Sequence, residues 1–136
     1  MDKRRLDEMI PLAYDAIRDN GIMDQKGQVP SGFRGQIAAF GAAVAMGSLL
    51  SAVAAFSDDG KSDVDRSRLM NAIYQVIHGG TTGGDKALLF EILHAEKAAL
   101  PGLTDRILTA AVAVKLALNL YPTAQAKDDA DSASAE

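Results

Sequence analysis

The chain has 136 residues, of which 48% are hydrophobic and 24% charged, and it contains no cysteine. This length and balance allow one folded domain and exclude disorder over most of the chain, while the lack of cysteine excludes disulfides, thiolate metal sites and a cysteine nucleophile. The net charge is −4, and residues 123–136 carry −3 of it because they contain one lysine and four acidic residues. The first 122 residues are therefore nearly neutral, which excludes a general affinity for polyanions.

The first predicted helix covers residues 4–20. Its apolar side chains recur at helical steps of four and three residues and form one stripe: Leu6, Ile10, Ala13 and Ile17. Asn20 and Gly21 predict its end, because glycine accepts the left-handed conformation that follows many helices. Pro11 lies inside this segment, and we expect it to kink the helix or to delay its start.

The second predicted helix covers residues 31–56 and contains a single charged residue, Arg34. One of its faces is apolar and consists of Phe33, Ile37, Phe40, Val44, Leu49, Val53 and Phe56. Another face holds only small residues spaced by four, namely Gly35, Ala39, Ala43, Gly47, Ser51 and Ala55. Because small side chains let a neighbouring helix approach closely, this pattern predicts a long, Ala/Gly-rich central helix.

The uncharged run from residue 35 to residue 57 is long enough to span a bilayer at about 1.5 Å per residue. Its apolar content is mainly alanine, however, and no basic cluster or aromatic belt flanks both of its ends. These features favour a buried central helix, with a membrane-spanning helix as the minor alternative.

Two shorter helices are predicted next. The third helix begins at a cap, either Ser62 or Asp63, and ends before Gly79. Its inward-facing residues are Leu69, Met70, Ile73, Val76 and Ile77. The fourth helix begins after a cap at Asp85 and stops before Pro101, and its apolar residues are Leu88, Leu89, Ile92 and Leu93.

The fifth predicted helix is capped by Thr104 and ended by Pro122. Its apolar residues step by four and three, which suits packing in an antiparallel bundle: Ile107, Ala111, Val114, Leu118 and Tyr121. The sequence thus predicts an all-α, single-domain bundle of about five helices over residues 1–122, followed by a disordered acidic tail over residues 123–136.

Three segments invite a catalytic or metal-binding interpretation, and each lacks a required part. The glycine-rich loop over residues 79–86 is not a P-loop, because Asp85 separates its last glycine from Lys86. His78 and His94 are the only histidines, and the chain has no cysteine that could complete a zinc site with them. The acidic run over residues 58–65 lacks the alternating oxygen ligands of a calcium loop. We therefore expect a protein that is not an enzyme and that binds neither a metal nor a cofactor.

The remaining candidates for a functional site are four basic residues: Arg34, Arg66, Arg68 and Lys115. An isolated basic side chain is most often solvated or has its alkyl stem on an apolar surface. Lys115 is less easily explained in this way, because it interrupts the apolar stretch over residues 110–118.

At this point the sequence resembles a known family, the small helical subunit of the type III-B CRISPR effector, the Cmr complex. The resemblance lies in residues 33–44, FRGQIAAFGAAV, which resemble the family's aromatic-Arg-small entry to a long helix. It continues in residues 47–56, GSLLSAVAAF, and it covers about residues 5–121 in order and spacing. These are packing motifs, so their combination carries the resemblance.

The resemblance implies a non-catalytic, all-helical subunit that stacks in several copies beside the other Cmr subunits. Those copies would lie beside the backbone subunits that hold the guide RNA, would help to form the groove for the target strand, and would contact the backbone of guide or target RNA. Arg34 and Lys115 match basic positions of the family pattern, and Arg66 and Arg68 join them as nearly adjacent cations. Nothing at the N-terminus looks like a secretory signal, so we expect a cytoplasmic protein without a membrane partner.

Two other classes of function stay open from the sequence. One is a helical adaptor or dimerisation module without RNA binding, and the other is a small membrane-associated protein. RNA binding distinguishes the first from an effector subunit, and cell fractionation distinguishes the second.

Overall fold

The computed structural model describes residues 2–58 and 63–124. Within these ranges the chain forms six α-helices, a short 3-10 helix over Lys97–Ala99 and one pair of two-residue strands. The helices are α1 (Lys3–Asp19), α2 (Gly32–Met46), α3 (Leu49–Phe56), α4 (Ser67–Ile77), α5 (Ala87–His94) and α6 (Leu100–Leu118). The strands β1 (Val29–Pro30) and β2 (Thr123–Ala124) pair in parallel. The predicted all-α class is confirmed.

The most buried element is α6, on which α1 and α4 both pack. Nine of its residues are buried, and they include four alanines whose small side chains bring the neighbouring helices close. The stripe predicted for the last helix is confirmed, because its five members, from Ile107 to Tyr121, are all buried. Arg5 meets Asp105 and Tyr14 meets Tyr121, so α1 runs parallel to α6 and the predicted antiparallel packing is wrong for this pair of helices.

The prediction of one long helix over residues 31–56 is wrong, because that segment forms α2 and α3 with a break at Gly47. Gly47 has a non-helical backbone, with φ −122° and ψ −112°, and ends α2. Ser48 is extended, and its hydroxyl accepts a hydrogen bond from the Ser51 backbone N–H at 3.0 Å. Ser51 in turn accepts one from the Ser48 N–H, and this capping box starts a new helix.

The predicted close approach along the small-residue row is also wrong. Its members on α2 and α3 are exposed apart from the half-buried Ala43, and the row faces away from the other helices. The apolar stripe predicted on the opposite face lies in the core except for the half-buried Val44. α2 and α3 therefore lie at the surface of the bundle, and α6 takes the central position. None of the helices in the described part of the chain is long and apolar enough to cross a membrane.

Helix starts differ from the predicted caps. The third predicted helix, α4, begins at Ser67 rather than near Asp63, since the Asp65 carboxylate accepts the Ser67 backbone N–H at 3.1 Å. The alternative cap Ser62 lies outside the described residues. The cap residue of α5 is Lys86, in a left-handed conformation with φ +60°, and not Asp85.

The start of α6 and the course of α1 both involve a proline. α6 begins at Leu100, four residues before the predicted cap Thr104, whose hydroxyl instead donates to the Leu100 carbonyl at 2.7 Å. Pro101 fits this first turn because a backbone N–H is not required there. Pro11 lies within α1, which continues through it from Lys3.

A buried amide joins α1 to α4. Gln75 is 2% exposed, and its Nε2 donates to Asp19 Oδ2 at 2.8 Å. Its Oε1 accepts a hydrogen bond from Asn20 Nδ2 at 2.9 Å, so both ends of this buried amide are satisfied.

The predicted tail begins at residue 123, and its first two residues belong instead to β2. Val29 pairs with Thr123 and Pro30 with Ala124, and the Val29 N–H donates to the Pro122 carbonyl at 2.8 Å. The rest of the predicted tail, residues 125–136, lies outside the described residues.

Candidate nucleic-acid interface

Arg34 lies in the first turn of α2 and is half-buried. Its Nη2 donates a hydrogen bond to the carbonyl oxygen of Leu118, the last residue of α6, at 3.3 Å. Because the last carbonyls of a helix have no partner within that helix, a cation is favourable at this end. Arg34 therefore stabilises the end of the central helix, a role that leaves its guanidinium only partly available to a ligand.

Arg66 does the same for α3. Its Nη2 donates to the Ala55 carbonyl at 3.0 Å, and its guanidinium carbon lies 4.3 Å from the centroid of the Phe56 ring. The position of the guanidinium over the ring adds a cation–π attraction to the hydrogen bond. Arg66 thus anchors the segment before α4 to the end of α3.

Arg68 binds the turn that follows α1. Its Nη1 donates to the Gly21 carbonyl, and its Nε lies 3.5 Å from Asp65 Oδ2. Gly21 has φ +72°, so glycine suits this turn, where the guanidinium packs closely over the backbone. The Arg68 charge is therefore partly balanced within the bundle.

Lys115 differs from the three arginines. Its side chain is exposed, and it makes no hydrogen bond or ion pair with any residue that the structure describes. It lies at the edge of an apolar groove of about 310 Å³ between α2 and α6. The groove is lined by Ile37, Ala38, Gly41, Leu108, Ala111 and Val112. The Lys115 charge is thus free to meet an anion.

The structure brings two of the four predicted site residues together. Arg34 and Lys115 both lie at the C-terminal end of α6, because Lys115 is in its last turn and Arg34 contacts its last carbonyl. Arg66 and Arg68 both lie at the start of α4 but bind different segments. The partner carbonyls are 84, 11 and 47 residues away in the chain for Arg34, Arg66 and Arg68.

The two histidines hold neighbouring groups. His78 Nε2 lies 2.6 Å from Glu91 Oε1 and joins the end of α4 to α5, while His94 Nδ1 lies 2.8 Å from the Phe90 carbonyl oxygen. Over residues 2–58 and 63–124, no three His, Asp or Glu side chains are grouped closely enough to hold a metal ion.

Among the residues that the structure describes, Tyr121 is the one whose titration is most clearly changed by the fold. Its ring stacks on Tyr14 with a centroid distance of 4.5 Å, and its hydroxyl donates to the Tyr14 carbonyl at 2.6 Å. Burial raises the pKa of the Tyr121 phenol, and the neighbouring Tyr14 raises it further, against a lowering by the Arg18 charge. The phenol is therefore held in its neutral, donating form.

Comparison with models of known protein families, with curated proteins and with solved structures finds no match to this chain.

Proposed function

We propose that the chain is a non-catalytic structural subunit of a type III-B CRISPR effector in the cytoplasm. Several copies stack within that complex beside the other Cmr subunits, and each copy contacts the backbone of guide RNA or target RNA. The proposal starts from the family resemblance of residues 33–56, and the observation that supports it is the uncharged outer face of α2.

That outer face is unusual for a helix at a protein surface. Only Phe33, Ile37 and Phe40 of α2 are buried, while the opposite side exposes small or apolar residues without charge: Gly35, Ala38, Ala39, Ala42, Ala45 and Met46. A surface helix normally carries polar or charged side chains on its solvent side, and a helix that is apolar all round is normally buried. A packed neighbouring subunit would supply the missing cover.

The charge distribution is suited to a small number of RNA contacts per copy. Lys115 is exposed and unpaired within the described residues, and Arg34 lies at the same end of α6. One or two phosphate contacts bind RNA weakly, but the contacts of several linked copies act together and raise the total affinity. The near-neutral body of the protein agrees with this arrangement.

The proposal is tested by purifying the tagged full-length chain from its native cell and identifying the co-purifying subunits and RNA. We expect the other effector subunits and guide RNA with the wild type, and loss of both with Ala42→Glu, which places a charge on the outer face of α2. Thr81→Glu adds the same charge to the exposed loop between α4 and α5 and serves as the matched control. Recovery of the wild type without effector subunits would contradict the proposal.

The second candidate function is a helical adaptor or dimerisation module without RNA binding. It is favoured by the three arginines, because each guanidinium already binds a backbone carbonyl of the bundle. Lys115→Ala distinguishes the two. The salt slope is the slope of the logarithm of the RNA binding constant against the logarithm of the salt concentration. If Lys115 contacts RNA, the salt slope of the assembled complex should become shallower by about 0.7 for each lysine contact that is lost. An adaptor predicts no RNA binding in either form.

A further inference from the structure

A second basic site lies at the opposite end of the bundle from the predicted one. A cleft of about 400 Å³ opens where the start of α1 meets the start of α6. It is lined by Arg5, Ala99, Gly102, Leu103, Asp105 and Arg106. None of these residues belongs to the four cations that the sequence singled out.

Two guanidinium groups line this cleft, and one of them is unpaired. Arg5 Nη1 donates to Asp105 Oδ2 at 3.3 Å, so its charge is partly balanced. Arg106 is half-buried and has no hydrogen bond or ion pair with any residue in the described ranges. Unlike Arg34, Arg66 and Arg68, it is not bound to a carbonyl of the bundle.

The cleft also has room for a ligand against its backbone. A Cβ atom built on Gly102 would meet no atom within 4 Å, so the main chain there is open. A planar guanidinium presents several N–H donors, which suits the oxygens of a phosphate group. Asp105 is the one acidic side chain in the lining, and its carboxylate is held by Arg5.

We infer that this cleft binds a phosphodiester group of single-stranded RNA through Arg106, with Arg5 as the second cation. The negative charge of Asp105 lowers the affinity of the cleft for the phosphodiester group. The inference rests on the proposed function for the nature of the ligand, but it uses a separate site. Arg106 and Lys115 are nine residues apart on one helix, which places them on opposite sides of α6. The cleft would therefore hold a different segment of RNA from the one that Lys115 contacts.

The test measures binding of a fluorescent single-stranded RNA oligonucleotide to the full chain at several low salt concentrations. Arg106→Gln should reduce the salt slope by about 0.7 and weaken binding roughly fivefold at about 0.1 M salt. Asp105→Asn should tighten binding, by up to about fivefold, because it removes the only carboxylate in the cleft lining. A purely structural role for these side chains predicts no gain of affinity.

Arg18→Gln is the matched control, because it makes the same change of charge at the other end of α1. Arg18 is 13 residues from Arg5, about 20 Å along the helix and beyond the Debye length of about 10 Å at 0.1 M salt. Arg18 lies at the Lys115 end of the bundle, but its guanidinium is ion-paired with Asp15 at 3.7 Å and with Asp19 at 3.3 Å, so this change should cost less RNA affinity than Arg106→Gln. Thermal melts should show that all three variants stay folded.

Several results would overturn the site. They are a wild-type affinity and slope for Arg106→Gln, an equal loss for Arg18→Gln, a loss of affinity for Asp105→Asn, or no RNA binding by the wild type even at low salt. The native purification judges the proposed function separately. Effector subunits that co-purify with the chain would leave that function standing even if the cleft fails.

Discussion

Arg34→Ala separates a structural role of this arginine from an RNA contact. The substitution removes the hydrogen bond from the guanidinium to the Leu118 carbonyl at 3.3 Å. A hydrogen bond from a charged group contributes about 1.5–3 kcal/mol, and the length of this one and the partial exposure of Arg34 favour the lower end. The loss of a cation at the end of α6 adds about 0.3–1 kcal/mol. We therefore expect the free energy of unfolding to fall by about 2 kcal/mol.

For a domain of this size, such a loss lowers the Tm by about 8 °C. Thermal unfolding followed by circular dichroism measures it, with urea unfolding as a second measure of the same change. Arg4→Ala is the matched control, since its side chain is 90% exposed and its Nε lies 3.9 Å from Glu8 Oε1. The control should change stability by less than about 0.5 kcal/mol.

If Arg34→Ala melts within a degree or two of Arg4→Ala, the hydrogen bond to Leu118 does not stabilise the fold and the reasoning is wrong. The result also decides how RNA data are interpreted. Lys115→Ala has no partner in the described residues to lose and should keep the wild-type Tm. RNA binding should therefore be compared between single variants, because a double substitution with Arg34→Ala combines a loss of stability with a loss of charge.

Gly35→Ala should raise the free energy of unfolding by about 0.5–1 kcal/mol in urea titrations, because this exposed glycine lies inside α2 and an added Cβ would meet no atom within 4 Å. Tyr121 has a raised pKa, so its neutral phenol contributes stability that is complete below its unfolded pKa of about 10 and is lost as the pH rises through the folded value. Melts between neutral and strongly alkaline pH should therefore show a smaller alkaline loss for Tyr121→Phe. A chain that ends at Pro122 should melt at a lower temperature than one that ends at Ala124, because only the longer chain forms the strand pair with β1.

The sequence predicts much of the fold because apolar residues at helical spacing mark the buried face of each helix. The stripe on α6 is buried as predicted, and so are Phe33, Ile37 and Phe40 on α2. Periodicity shows which residues share a face but not which of two uncharged faces turns inward. For that reason the sequence predicts a helix contact along the row that contains Gly35, whereas the structure exposes this row.

Boundaries were harder to predict because capping depends on local hydrogen bonds that compete with one another. Residues 31–56 contain no proline and no cluster of polar residues at the break, so the sequence favours one helix. The reciprocal hydrogen bonds of Ser48 and Ser51 nevertheless start α3 anew. The pair Ser48 and Ser51 was the available signal, because a serine followed three residues later by a polar side chain resembles a capping box.

The candidate site could be predicted only in part. The sequence identifies which cations interrupt apolar segments, and Lys115 is exposed as such a residue should be if it meets a ligand. The sequence contains no signal for the carbonyl that Arg34 binds, because Leu118 is 84 residues away. Every residue also has a backbone carbonyl, so the residue type does not show which one accepts the hydrogen bond. The sequence does not indicate Arg5 and Arg106 for a similar reason, since they are 101 residues apart and their meeting depends on the parallel packing of α1 on α6.

Under the proposed function, the surfaces of this protein connect RNA binding to assembly. Arg34, Arg66 and Arg68 each bind a backbone carbonyl at or near the end of a helix, so these three cations are only partly available for RNA in any one copy. Each phosphate contact contributes only about 0.7 to the salt slope, so one copy with one or two contacts binds a single strand weakly. A stack of linked copies would reach a higher affinity because its contacts act together. The uncharged outer face of α2 is then as important for RNA as the cations. Ala42→Glu touches no phosphate but should prevent the copies from packing on one another, so less RNA should be recovered with this variant than with Lys115→Ala.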